Sequence, residues 1–249
     1  MLDAATRAAR AAGQLLLAAS GGEIEVEKLA RRDVKLAMDR RAEEKIIGIL
    51  RKDFPDHAIL AEECGRLAGR SEYTWIIDPL DGTFNYYRRI PIWCTSIGLM
   101  QGEEEVLGVI CDPGRDELFY AEKGKGAFLN GRTIRVSETD TIETGVIGLA
   151  LGLRDAFKEK ALAGAQRAAL RASKVRSLGS AAMDMAYVAC GRMDAYFEFG
   201  VRPWDVAAGI VLVREAGGRI STRRHPGDAL DMAASNGRIH DELLKQIGW

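Results

Sequence analysis

Trp75-Ile-Ile-Asp-Pro-Leu-Asp-Gly-Thr83 decides how this chain folds. With Tyr73 and Thr74 it begins as a short apolar strand over Tyr73–Ile77. The strand runs straight into Asp78 and Asp81, two carboxylates with Pro79 fixing the turn between them. Gly82 allows a sharp change of direction, and Thr83 is placed to open a short helix before Pro91. Such a turn presents two carboxylates and the Leu80 carbonyl to a hard cation, and backbone N–H groups to an anion. By themselves the same residues also describe an ordinary strand ending in an Asp-Pro turn.

Other acids sit at comparable places. Upstream, Ala61-Glu62-Glu63 follows the apolar pair Ile59-Leu60. Neighbouring carboxylates disfavour each other unless a cation is present, although a solvated loop would also tolerate them. A helical period runs from Asp39 to Lys52, with Ala42, Ile46, Ile49 and Leu50 on one face and Pro55 closing it. Asp33 and Asp39 flank its start, where the helix dipole favours acids in any case. Downstream, Trp204-Asp205-Val-Ala-Ala-Gly209 opens another helix, and Asp205 alone reads as its N-cap.

The remaining pattern divides the chain. The N-terminus reads as a mildly amphipathic helix, and Thr95 to Leu129 as an antiparallel meander punctuated by Gly102, Pro113-Gly114 and Gly124/Gly126. Beyond roughly residue 140 come a strand (Gly145–Leu151) and a helix (Arg154–Ala172). A second helix (Ser180–Cys190), a strand (Asp194–Phe199) and a helix from Trp204 to Gly217-Gly218 follow. We expect an α+β N-terminal subdomain (1–140) carrying most acidic candidates and an α/β C-terminal subdomain (141–249) carrying Asp205. The boundary is soft and the two form one compact unit.

Composition narrows the chemistry. Lys and Arg total 35 against 36 Asp and Glu, a net charge of −1, which argues against a nucleic-acid-binding face. The 3 histidines (His57, His225, His240) lie among charged or turn residues, so histidine-centred zinc and Ser-His-Asp chemistry are poor fits. No G-x-G-x-x-G follows a strand and no G-x-x-x-x-G-K-[ST] occurs, which removes a nucleotide-binding dehydrogenase. The 4 cysteines (Cys64, Cys94, Cys111, Cys190) form no C-x-x-C and read as reduced thiols. No signal-peptide pattern opens the chain, and the longest apolar stretches fall far short of the ~20 residues that span a bilayer. A soluble cytoplasmic protein is expected, with no nucleic-acid or membrane partner. Acids converging on a Gly-Thr anion nest suit a phosphate ester, since Mg²⁺ takes few carboxylates and leaves positions for water and phosphate oxygens.

Three signatures together resemble the inositol monophosphatase family, the Mg²⁺-dependent, lithium-sensitive sugar phosphatases. They are Ala61-Glu62-Glu63, Trp75 to Thr83, and Trp204 to Gly209, and the likeness runs from about Lys28 to Gly218. The resemblance implies an αβαβα layered sandwich, a small phosphorylated polyol as substrate, two to three Mg²⁺ ions and a homodimer. Glu62, Asp78 and the Leu80 carbonyl match the holders of a first Mg²⁺, and Asp78, Asp81 and Asp205 those of a second. A third, weaker ion touches Glu62 by the same likeness. Thr83 and Asp39 match the pair that orients or deprotonates the attacking water. Gly82 and Thr83 N–H groups would cradle the phosphate, Glu198 a substrate hydroxyl, and Gly179, Ser180 and Ala181 the opposite wall.

Two departures stand out. The family pattern V-T-x-x-D before the Asp39 helix is Val34-Lys35-Leu36-Ala-Met-Asp39 here, and Leu36 lacks the capping hydroxyl, an expected local cost of ~1 kcal/mol. Arg202, at a variable family position, is expected to reach distal hydroxyls or a second phosphate. Inositol 1-phosphate is the leading substrate. Fructose 1,6-bisphosphate, histidinol phosphate and a 3′-phosphoadenosine nucleotide are alternatives within the fold. A non-catalytic metal- or anion-binding regulator is the alternative outside enzymology.

Overall fold

Alanines and leucines at helical spacing bury one side of α1 (Leu2–Ala19), through Ala5, Ala8, Ala12 and Leu16. The computed structural model describes residues 1–30, 33–152 and 155–249, so the helix start expected at Arg154 lies outside the described residues. A hairpin, β1 (Val26–Ala30) and β2 (Asp33–Leu36), leads into α2 (Ala37–Asp53), which buries Ala42, Ile46 and Leu50. Next come β3 (Ala58–Ala61), β4 (Gly65–Leu67), β5 (Tyr73–Asp81) and the short α3 (Thr83–Tyr87). The meander consists of β6 (Cys94–Gln101), β7 (Glu104–Asp112), β8 (Glu117–Glu122), β9 (Ala127–Leu129) and β10 (Arg132–Ile134), each antiparallel to the next. β3 to β10 form an 8-stranded sheet in the order β10-β9-β8-β7-β6-β5-β3-β4.

The second half supplies β11 (Val146–Leu149), α4 (Asp155–Arg171), β12 (Lys174–Arg176), α5 (Ala181–Ala189) and β13 (Ala195–Val201). It ends with α6 (Pro203–Glu215), β14 (Arg219–Arg224), β15 (Leu230–Ser235) and α7 (His240–Ile247). Its 5-stranded sheet has the order β12-β11-β13-β15-β14, parallel across the first three and antiparallel beyond.

Helices α1 and α2 cover one face of the larger sheet, α5 and α6 lie between the sheets, and α4 and α7 cover the outer face of the smaller one. These are the αβαβα layers. The middle core runs from Ile110 and Phe119 through Met185 and Leu212 to Tyr196 and Met232. Burial at this density is the main favourable term in folding. Gly108 decides how closely α6 approaches, because a Cβ there would stand 2.2 Å from the Ala208 carbonyl oxygen. Backbone contact of this kind sets the height of the α6 N-terminus over the ends of β5 and β6. Among the described residues no helix is long and apolar enough to cross a membrane.

One local expectation needs correction. The strand expected over Tyr73–Ile77 continues to Asp81. Its pairing with β6 is broken by a bulge, Asp78 facing Ser96 and Asp81 facing Cys94, so Pro79 and Leu80 share the space opposite Thr95. Proline has no N–H for the ladder, and the bulge accommodates that loss while Thr95 Oγ1 donates to the Pro79 carbonyl at 2.9 Å.

Candidate active site

The bulge in β5 turns both of its aspartates toward the second half of the molecule. Asp78 is buried, and its Oδ1 accepts the Leu80 N–H at 3.0 Å, which folds the backbone back on itself. Gly82 follows with φ +92°, and a Cβ there would come within 2.9 Å of the Ile92 carbonyl oxygen, so only glycine fits. Thr83 Oγ1 donates to the Leu80 carbonyl at 2.9 Å. Asp81 Oδ2 accepts from Ser180 Oγ at 2.6 Å and from the Ala182 N–H at 2.7 Å, which ties the end of β5 to the start of α5. Ser180 is the N-cap of α5, and Asn85 Nδ2 steadies the preceding turn by donating to the Leu178 and Ile92 carbonyls at 2.7 Å each.

Two further acids arrive from separate elements. Asp205, third residue of α6, accepts the Arg202 N–H on Oδ2 at 3.0 Å. Glu62 follows β3, and its N–H donates to the Ile77 carbonyl at 3.2 Å, extending the parallel pairing with β5. Glu62, Asp78, Asp81 and Asp205 line one cavity of about 310 Å³ together with Leu80, Gly82 and Thr83. Gly179, Ser180, Ala181 and Glu198 form its other side. Sequence reasoning missed Val34, Phe84, Ala150, Leu151 and Gly152, which also line it. Phe84 and Leu151 are large apolar side chains left exposed on its rim, which the sequence alone does not reveal.

Two candidates stand outside the cavity lining. Asp39 is buried behind it, with Oδ2 accepting the Leu36 N–H at 2.8 Å and Oδ1 without a partner. It lies near α3, where burial and then the charge of Asp39 push the Tyr86 hydroxyl up to about 12. Arg202 is the second. Its guanidinium donates to the Gly227 carbonyl at 2.8 Å and lies 5.5 Å over the Trp204 ring, because the turn into α6 aims its side chain away from the cavity.

The electrostatics of the lining are those of carboxylates lacking counter-charges. Burial is the first cause raising all four, Glu62 to about 8, Asp81 to about 6, and Asp78 and Asp205 well above the ordinary range. The carboxylates add to one another: Glu62, Asp81 and Asp205 all raise Asp78. Hydrogen bonds from Ser180 and Ala182 partly offset the effect at Asp81. Glu198 rises to about 7 by burial, opposed by the Tyr196 hydroxyl, which donates to Glu198 Oε2 at 2.5 Å. Asp184 was also missed; both its buried carboxyl oxygens lack a partner, and one would stand 2.7 Å from a Cβ at Gly148.

Buried acids of one sign need protons or a cation. The donors offered are carboxylate, carbonyl and hydroxyl oxygens, a set that fits a hard divalent ion rather than zinc. Among the described residues no group of three or more acidic, histidine or cysteine side chains is arranged to hold a metal ion by itself. Mg²⁺ takes one or two carboxylates and completes its shell from water and substrate phosphate.

Residues 1–247 match the inositol monophosphatase family. The chain belongs to this family. Its relatives among inositol monophosphatases include the inositol-1-monophosphatase of Synechocystis sp., 41% identical over 99% of this chain and 88% of that protein. The fructose-1,6-bisphosphatase/inositol-1-monophosphatase of Thermotoga maritima is 37% identical over 99% of this chain and 95% of its own length. A protein named Nus factor SuhB, from Xylella fastidiosa, is 44% identical over 86% of this chain and 78% of its own. In three dimensions the extragenic suppressor protein suhB of Bartonella henselae superposes with a TM-score of 0.92 at 35% identity, covering 99% of this chain and 97% of that one. Membership of the inositol monophosphatase family makes this chain a phosphatase, a phosphoric monoester hydrolase acting on a phosphorylated small molecule.

Proposed function

We propose that the chain hydrolyses the phosphate monoester of a small polyol, inositol 1-phosphate before others, with Mg²⁺ in the carboxylate-lined cavity. One observation carries this reading: Glu62, Asp78, Asp81 and Asp205 converge from three separate elements beside Gly82 and Thr83, with burial raising all four. Glu62, Asp78 and the Leu80 carbonyl would hold one ion, and Asp78, Asp81 and Asp205 another. When bound, Mg²⁺ supplies charge neutralisation, activation of water and stabilisation of the leaving oxygen.

The chain's own groups orient the reactants. Thr83, anchored on the Leu80 carbonyl, lines the cavity with its hydroxyl, and Asp39, buried with one carboxyl oxygen unpartnered, would take or steer the proton of the attacking water. Gly82 and Thr83 N–H groups face the phosphate. Glu198, its carboxylate fixed by Tyr196, accepts a hydroxyl of the leaving alcohol. Gly179, Ser180 and Ala181 limit its size.

Phosphate release with Mg²⁺, with and without lithium, tests the proposal on inositol 1-phosphate, fructose 1,6-bisphosphate, histidinol phosphate and a 3′-phosphoadenosine nucleotide. Release should require Mg²⁺, fall with lithium and be fastest on inositol 1-phosphate. The dual name of the Thermotoga relative makes fructose 1,6-bisphosphate the main competitor. The name Nus factor makes a non-catalytic regulator the competitor from another class. Ready release that disappears in Asp81→Asn removes the regulator, and a chain without Mg²⁺-dependent release on any of these esters removes the phosphatase proposal.

A further inference from the structure

Glu43 is a buried acid on α2 that the proposed chemistry does not use. Its carboxylate accepts two successive backbone amides of the turn after β3: Oε2 takes the Glu63 N–H at 2.9 Å and Oε1 the Cys64 N–H at 2.8 Å. A two-oxygen grip on successive amides fixes the direction of the turn as well as holding it. The residue just before this grip is Glu62. Its own N–H is held by the Ile77 carbonyl of β5. The backbone around Glu62 is therefore pinned on one side by the sheet and on the other by Glu43.

The neighbours of Glu62 are kept out of the cavity by the same arrangement. Glu63 turns its carboxylate to Lys35 Nζ at 2.9 Å. Burial, and then Glu43, push the Cys64 thiol up to about 11, so it stays protonated. Of the three consecutive residues, only Glu62 lines the cavity.

We propose that Glu43 is a positioning residue for metal binding, clamping the Glu63 and Cys64 amides so that Glu62 presents its carboxylate to a divalent cation in a fixed direction. The inference rests on the reading of Glu62 as a metal holder. It differs from a plain anchoring of α2 on the β3 turn, which would affect stability without acting through Glu62. Supporting groups of this kind, when removed, typically cost 10–100-fold in metal affinity.

Mn²⁺ binding to the full chain, followed by the loss of its free-ion paramagnetic resonance signal, tests it alongside thermal unfolding without metal. Glu43→Gln turns an NH₂ toward one of the two amides and keeps an acceptor for the other. We expect about tenfold weaker Mn²⁺ binding, a similar rise in the Mg²⁺ needed for half-maximal phosphate release, and an unfolding midpoint near wild type. In a Glu62→Gln background the further change Glu43→Gln should leave Mn²⁺ affinity unaltered, because the clamp acts through Glu62. Wild-type affinity in Glu43→Gln, additive losses in the double variant, or a Glu43→Gln chain that no longer folds would each overturn the clamp. A wild-type chain that binds no Mn²⁺ overturns the metal reading itself and this inference with it.

Discussion

Helices α2 and α6 begin in the same way. Each has an aspartate as its third residue, Asp39 in α2 and Asp205 in α6, and each aspartate returns one oxygen to the N–H of its own N-cap residue, Leu36 or Arg202. Neither N-cap side chain is a hydroxyl or carboxylate, so among the described residues the aspartate is the only side-chain partner of the N-cap amide at each start. Yet one start lines the cavity and the other does not. The difference is tertiary. Backbone contact at Gly108 lays α6 directly on the larger sheet, where its first turn meets the ends of β5. Helix α2 packs on the opposite face, and Asp39 stays outside the cavity lining, close enough to Tyr86 of α3 for its charge to raise that hydroxyl. The same local signal lines the cavity in one place, where we propose that it holds a metal, and stays outside the lining in the other.

Exchange of each aspartate for asparagine should separate the two roles most strongly. Asp205→Asn should lower phosphate release by about a thousandfold or more, roughly 4 kcal/mol of barrier at 1.36 kcal/mol per decade, and remove most of the Mg²⁺-induced rise in unfolding temperature. Asp39→Asn should lower release about a hundredfold, within the usual range for a lost proton-transfer group, while that Mg²⁺-induced rise persists. Equal loss of the Mg²⁺ effect in both variants would erase the distinction.

The dependence of stability on pH sharpens the same contrast. Asp39 (about 7), Glu62 (about 8) and Asp81 (about 6) all titrate higher in the fold than carboxylates of an unfolded chain, near 4. Between those values the native state holds protons that the unfolded chain has released. The associated stability is complete below about pH 4 and is lost as pH climbs through 6 to 8. Metal-free protein should therefore melt at progressively lower temperature from pH 5 to pH 8. Added Mg²⁺ should restore little at pH 5 and much at pH 8, where it no longer competes with protons. In Asp39→Asn the decline should be shallower with the Mg²⁺ gain intact, and in Asp205→Asn the gain itself should be missing. A flat melting profile for the metal-free protein would contradict this electrostatic account.

Sequence legibility follows the same division between local and tertiary causes. Asp78, Asp81, Gly82 and Thr83 were readable because a strand, a proline and a glycine force their turn within a few residues. Glu43 was not, since a single acid inside a helical period carries no sign of the amides it will meet 20 residues later. The rim residues Phe84 and Leu151 come together only when the two halves pack. Strand β15 escaped notice because Asp231 interrupts its small apolar residues, and only the fold supplies the Lys160 ammonium at 2.9 Å that makes this buried acid tolerable. Strand β14, Arg219-Ile-Ser-Thr-Arg-Arg224, has too few apolar residues to show a period of two.

The smallest expected effect concerns Leu36, and here local and tertiary causes oppose each other. By the capping rule alone, Leu36→Thr should stabilise α2 by about 1 kcal/mol. In the fold, however, Leu36 is 1% exposed and packs in the core shared by α1, α2 and the larger sheet. Full burial of a leucine contributes roughly 1.5–3 kcal/mol, and its replacement by the smaller, polar threonine forfeits most of that and leaves a void. The packing loss exceeds the capping gain, so Leu36→Thr should destabilise by about 1 kcal/mol and lower the unfolding midpoint by about 3 °C for a chain of this size. The position of the family's threonine is thus not a defect awaiting repair. At the equivalent place on α6, Arg202 is only half-buried and bonds Gly227, so Arg202→Ser gains a cap against the loss of one surface bond and should change stability by less than ~0.5 kcal/mol. A higher midpoint for Leu36→Thr than for wild type would show that capping outweighs burial at the start of α2.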